Sequence, residues 1–395
     1  MASLVTARRP RRGLRRLTAV ALTLGTVGAL AGASPGAEHT QHRTNHGFVE
    51  RDLVSDIPGR AETTDPNLVN PWGLVRKTNG AILVSNNGSD TATAYSGALD
   101  NQPVNNTGLV VPFPSGAAPD GVVRNDTDNF RFSVAGKSGP ARFIFASESG
   151  SLFAFNPDVS PNAIQVAFEP SDGTNAVFKG LTLVPGEKKG KEHDKKDHDK
   201  DKDKDKKSKP RILVANFRDA RVDSFNTKFK KLPNDRRFQD PSLPAGFAPF
   251  DIKKIGDKVF VTYALQDAAK HDDVAGPGNG FINVFSTEGK LLKRFASRGV
   301  LNSPWGLEVA PKGFGQFAGD LLVGNFGDGR IHAFDLKTGR LEGTLKSPAG
   351  NPIVIPGLWG LQRGTDQSGG RHTVWFAAGI EDENHGLLGT LRAAG

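Results

Sequence analysis

The chain has 395 residues, 47 of them glycine and 25 proline, and it has no cysteine. This composition excludes disulfide scaffolds, thiolate metal centres and cysteine nucleophiles, and its glycine content suits a turn-rich β protein better than a helical bundle. The net charge of +9 comes entirely from six arginines before residue 34 and a run at 187–209 with eleven lysines against eight acids; a nucleic-acid binder would need its basic face on the remaining body, which is neutral.

The N-terminus reads as an export leader. RRPRRGLRR at 8–16 precedes an apolar stretch from Leu17 to Ala33 that ends in the small-residue cleavage pattern Ala31-Gly32-Ala33. This is the order of a signal peptide, and the apolar run is short for a membrane span. The paired arginines resemble a twin-arginine signal. The expected organisation is therefore a leader at 1–33, a disordered polar tail at 34–47 and a secreted domain at 48–395. A surface metal site at His39, His42 and His46 is conceivable, but a polar tail is the simpler reading.

From residue 71 onward one pattern repeats. A short apolar strand ending in a small or polar residue occurs at 81–86, 142–147, 211–216, 258–263, 320–325 and 373–378. Ahead of each lies a second element. Trp72-Gly73-Leu74, Trp305-Gly306-Leu307 and Trp359-Gly360-Leu361 are close copies, and Asp120-Gly121-Val122, Lys179-Gly180-Leu181 and Phe250-Asp251-Ile252 are weaker ones. After five of the six strands comes an aromatic, at Tyr95, Phe155, Phe225, Phe285 and Phe334, expected to fill the space between blades. Turn signals such as 286–289 and 337–339 then lead into fourth strands near 290–295 and 340–345.

Four strands per unit and six units of about 50 residues predict an all-β fold, a six-bladed β-propeller of four-stranded antiparallel blades. The second element recurs in steps of 48, 59, 71, 55 and 54, and the step of 71 falls to 48 without the 23 residues at 187–209. Segment 48–57 has no blade of its own and is predicted to close the ring by pairing with the last blade, since an open ring leaves sheet edges exposed. The 187–209 run has dense alternating charge and no apolar residue, so it is expected to be a disordered loop in blade three. His193 and His198 within it are weak candidates for metal or polyanion contact.

NPWGL at 70–74, PAGFAPFDI at 244–252, YALQDAAKHDDVAGPGNGF at 263–281, LNSPWGLEVAP at 301–311, LLVGNFGDGRI at 321–331 and the closing PGLWGL and AGIEDENHGL form an ordered set. Together they resemble a family of exported bacterial proteins of uncharacterised function, related to the NHL-type propellers, some of which carry a C-terminal sorting tail. The resemblance covers roughly residues 48–391 and implies the propeller and export, but no reaction. The chain differs from the family in its Lys/Asp insert and in ending at Gly395 without a sorting helix.

In a propeller the links before each first strand and after each second strand share one mouth of the channel, where pockets gather. The polar residues delivered there include Asn86, Asn87, Ser147, Glu148, Asn216, Gln266, Asp267, Asn325 and 381–385. Asn86, Asn216, Asp267, Asn325 and Glu381 make a candidate oxygen set for Ca²⁺, the one cofactor suggested. The set is similar to the channel calcium site of six-bladed lactonases and phosphotriesterases, which implies a calcium that polarises a carbonyl or phosphoryl oxygen. The competing reading is that these residues satisfy turn backbone. His271, Asp273 and His385 are the candidate acid–base groups, and Asp272 adds a further candidate ligand. Trp72, Trp305 and Trp359 read as wedges between blades or as an aromatic lining for a ligand. No P-loop, H-E-x-x-H or dinucleotide fingerprint occurs. The expected function is a monomeric binding module for an extracellular protein, glycan or small molecule, without nucleic acid or stable membrane insertion. The alternative is a Ca²⁺-dependent lactonase or esterase-type hydrolase.

Overall fold

The computed structural model describes residues 46–100, 102–186, 209–233 and 236–395. The leader, the tail up to residue 45 and insert positions 187–208 lie outside the described residues. Six antiparallel sheets follow one another along the chain, each starting with its innermost strand. These first strands are Pro71–Arg76, Pro119–Arg124, Phe178–Val184, Phe247–Ile255, Pro304–Val309 and Leu358–Arg363 for blades 1 to 6. Each pairs on one side with a second strand, and its other edge meets the first strands of the neighbouring blades around the axis. Among the described residues no helix is long and apolar enough to cross a membrane.

The apolar second strands are fully buried, as at Ile82–Asn86 and Arg211–Asn216. Both faces of each are covered by adjacent blades, so they read as continuous hydrophobic runs. The recurrent aromatics Tyr95, Phe155, Phe225, Phe285 and Phe334 are all buried within the clusters between blades.

The ring closes as predicted. Phe48–Ser55 runs antiparallel to His385–Ala393 as the fourth strand of blade 6, with Phe48 opposite Ala393 and Ser55 opposite Leu387, and Thr63–Thr64 pairs in parallel on its far edge. Leu53 and Val54 are buried there. Blade 3 is thinner than its siblings. Among the described residues it has three strands, and its fourth position is held by a bridge between Phe225 and Lys231 and a Leu232 N–H donated to the Ser224 carbonyl at 2.7 Å. Asn226 folds the chain back by accepting from the Lys228 and Lys230 amides, and Pro233, which has no N–H, ends the pairing.

Candidate functional site

One backbone irregularity builds the site. In all six blades the first strand slips register against the second at the residue pair of the repeated element, Trp72-Gly73 in blade 1 and its counterparts elsewhere. Such a bulge bends the strand and re-aims a side chain. The first residue of each pair turns toward the axis, so Trp72, Asp120, Lys179, Phe250, Trp305 and Trp359 converge from six blades. The second residue abuts the next blade. A Cβ on Gly73 would lie 2.5 Å from the Asp120 carbonyl, one on Gly306 2.5 Å from that of Trp359, and one on Gly360 2.3 Å from that of Trp72. Glycine is required there by close approach.

The three tryptophans form a plug. Trp72 stacks on Trp359 with centroids 3.4 Å apart, Trp305 meets both edge-on at 5.9 and 5.8 Å, and Phe326 covers the remaining face of Trp359 at 3.8 Å. The expectation of wedges between blades gives way to a central cluster, because the bulge turns these side chains out of their own sheets. All three indole N–H groups are buried without a partner.

Above the plug, on the mouth reached by the loops after the second strands, lies a polar cup. Lys179 is buried, with its ammonium 4.9 Å from the Trp72 ring centroid and 5.9 Å from that of Phe217. It is ion-paired with Glu148 and lies 3.6 Å from Asp272. The Asn87 amide donates to Asp120 at 2.8 Å and to Glu148 at 2.9 Å, tying blades 1 and 2 together. Asn70 donates to Glu383 at 2.8 Å across the closure of the ring. Asp120 Oδ2 and Asn70 Oδ1 are buried and have no partner.

Burial, reinforced by the Glu148 charge, pushes the Asp120 carboxyl well above the usual carboxylate range. Burial alone would lower Lys179, but Glu148, Asp120 and Asp272 together hold it above its ordinary value. Burial also raises Glu383, to about 7, against the opposing hydrogen bond from Asn70.

The 266–280 loop supplies the outer wall. Asp267 organises it by accepting the His271 N–H at 2.8 Å, while its own amide donates to the Asp272 carbonyl. His271 Nδ1 lies 3.0 Å from Asp272 Oδ1, and this hydrogen bond raises the imidazole pKa and lowers that of the carboxyl. Ligand atoms of Glu148, His271 and Asp272 lie within 4.8 Å of one another. Asp273 pairs with Gln266 at the base of the loop, and burial raises its carboxyl.

The oxygen set anticipated from sequence is distributed differently. Asn86 donates to Thr91 and Thr93, Asn216 to Asp219 and Asp223, and Asn325 to Asp328 and the Val300 carbonyl. Asn86 and Asn216 thus pin the strand or turn that follows them, and Asn325 ties its own turn to the connection before Pro304–Val309. Glu381 is exposed on a turn at φ 53°, with a carboxylate oxygen 3.8 Å from His385. His385 pairs at 2.6 Å with Asp56 beside the closing strand. Of the sequence candidates, His271 and Asp272 reach the cup wall and Trp72 its floor. Asp120, Lys179 and Asn70 were not anticipated, whereas Glu383 belongs to the 381–385 segment expected at this mouth. The available signal was a charged residue standing where the repeat elsewhere has tryptophan.

The fold and site define a six-bladed β-propeller with a plugged channel and a closed-bottomed polar cup at one mouth. No protein-family model matches the chain. Two uncharacterised proteins of Acanthamoeba polyphaga mimivirus, R648 and L690, are each 31% identical to it over 346 residues. Those residues cover 86% of this chain and 78% and 84% of theirs. The chain belongs to the family of these proteins. Among solved structures it is similar to an α-L-arabinanase from Penicillium chrysogenum complexed with arabinobiose. That likeness has a TM-score of 0.51 at 12% identity, covers 87% of this chain and 99% of that one, and bears on the fold alone.

Proposed function

We propose that this protein is a secreted binding propeller that seats a small, donor-rich ligand, a glycan end in the first instance, in the cup above Trp72 and Lys179. The observation that carries the reading is the pair of buried oxygens without partners beside a closed aromatic floor: Asn70 Oδ1, an acceptor, and Asp120 Oδ2, a donor when its carboxyl holds the proton. A buried donor or acceptor left unpaired costs about 1–3 kcal/mol, and ligand hydroxyls would recover that cost. Glu148, His271 and Asp272 would hold a divalent cation at the cup wall. An imidazole among carboxylates suits manganese or zinc better than calcium, which favours oxygen donors alone. When bound, the cation would polarise ligand oxygens. The leader supports a place outside the cell, and the repeat motifs support descent from the exported, NHL-like bacterial family.

A second reading, a metal-assisted lactonase or esterase, is favoured by Asp120, whose free oxygen lies in the same cluster as the Lys179 ammonium. Calorimetric titration of soluble oligosaccharides, with and without MnCl₂, tests both. Binding that is lost in Asp120→Ala, with no product formed, is the expected result. Turnover of an ester or lactone panel that is lost in Glu148→Gln would move the function to hydrolysis. No binding under either condition would overturn the ligand reading.

A further inference from the structure

The Trp plug divides the channel, and the other half holds a cavity of about 350 Å³ between the C-terminal halves of the six first strands. We propose that this cavity is a second binding site, for a compact organic acid whose carboxylate meets Arg76 and Arg124. It lies on the opposite side of the plug from the cup and uses none of the cup residues.

Three observations converge on it. The first concerns donors. Arg76 lines the cavity and its guanidinium has no hydrogen bond or ion pair among the described residues. Arg124 spends its terminal nitrogens on the Arg76 carbonyl at 2.9 Å and Asp126 at 2.7 Å, leaving its buried Nε without a partner. Trp305 is also in the lining, and its indole N–H is buried and unpaired. An anion accepting from these groups would satisfy donors that the fold leaves open, and arginine forks match carboxylate geometry.

The second observation is a fixed charge. Lys253 is held in the lining by the Leu307 carbonyl at 2.5 Å, the Leu361 carbonyl at 3.5 Å and Glu308 at 3.1 Å. Paired with Glu308, its ammonium is fixed in place and needs no ordering when a ligand arrives. Asp251 also lines the cavity, with its carboxyl lodged against Gly180. Burial raises its pKa to about 7, so the acid opposes an anion less than an ordinary aspartate would.

The third is shape. The first strands end their sheets, so their free edges offer N–H and C=O groups to the cavity, and hydroxyls on the acid would pair with them. The volume lies at the lower end of small-molecule sites. A second cavity of about 350 Å³ shares Arg76 and Arg124 as a common wall and gives the arginines access to solvent.

The test is isothermal titration of the full chain with tartrate, citrate and glucuronate at constant ionic strength, with inorganic phosphate in parallel. At least one carboxylate is expected to bind with Kd below about 1 mM. Its affinity should fall at least tenfold in Arg76→Gln and in Trp305→Phe, and stay unchanged in Glu148→Gln. Arg76 is exposed and makes no side-chain contact that the fold needs, so its variant should fold normally. The proposal is overturned if no carboxylate binds, if phosphate alone binds, or if Arg76→Gln binds as the parent does. Loss of binding in Glu148→Gln would transfer the site to the cup, so failure here and failure of the cup reading give different patterns.

Discussion

The Lys179 ammonium stands 4.9 Å from the centroid of the Trp72 ring, with one side against the plug and the other against carboxylates of blade 2 and the 266–280 loop. The single positive charge pairs with Glu148, lies close to Asp272 and opposes the upward shift of Asp120. Lys179→Met would keep the stem packing and remove the charge. Breaking a buried ion pair on one side costs about 3–5 kcal/mol, so denaturant unfolding of this variant should show a loss of that order. The double variant with Glu148→Gln should recover part of it. Equal stability of parent and single variant would mean that solvent already screens the cup.

Gly360 touches the Trp72 carbonyl across the junction of blades 6 and 1. Gly360→Ala inserts a methyl where the nearest backbone oxygen leaves 2.3 Å, and overpacking of this kind costs about 1–3 kcal/mol. The prediction is a lowered Tm by calorimetry. Gly116→Ala is a poor comparator because its φ is 76°, but Gly395, with nothing nearby, serves as a neutral control.

Asp240 sets an acid limit on the fourth blade. Burial alone would raise its carboxyl, but hydrogen bonds from Ser242, Arg294 and Asn283 outweigh burial and hold it at about 2. Its folded pKa is below its unfolded one, so the stabilisation is complete above about pH 4 and is lost as pH falls toward 2. Its size is about 2 kcal/mol. Stability measured from pH 5 to 2 should drop less steeply in Asp240→Asn than in the parent.

Asp251 works in the opposite sense. Burial lifts its folded pKa to about 7, against Lys253 and the Ile252 N–H. The folded state therefore keeps a proton that the unfolded state has lost. The stability this proton confers is full below about pH 4, declines as pH rises toward 7 and is then gone. Asp251→Asn should accordingly be more stable than the parent above pH 7, by on the order of 4 kcal/mol at most. Coincident melting curves at pH 8 would contradict this.

The six blades were legible because their second strands are buried on both faces, and a buried strand must be an unbroken apolar run. Closure by 48–55 was legible because that segment had strand character and no partner of its own. The cup was much less so. Asn86, Asn216 and Asn325 look like ligands in the sequence, yet each spends its amide on a neighbouring turn, strand or connection. Sequence spacing says which loop a residue joins, but not whether its side chain turns to the axis or to the neighbouring turn. The bulge decides that, and it shows only as Trp-Gly, Asp-Gly or Lys-Gly at matching positions. The exceptions to the Trp pattern, Asp120 and Lys179, carry the chemistry of the cup.

The pairing of Phe48 with Ala393 has a consequence for how the chain comes into being. During synthesis Phe48–Ser55 waits for His385–Ala393, so blades 1 to 5 can form before the sixth has its partner for that strand. A ribosome that stalls before residue 385 would release an open ring whose unpaired strand invites intermolecular pairing. Completion of the ring therefore requires that synthesis has passed residue 393, however the earlier blades have folded by then.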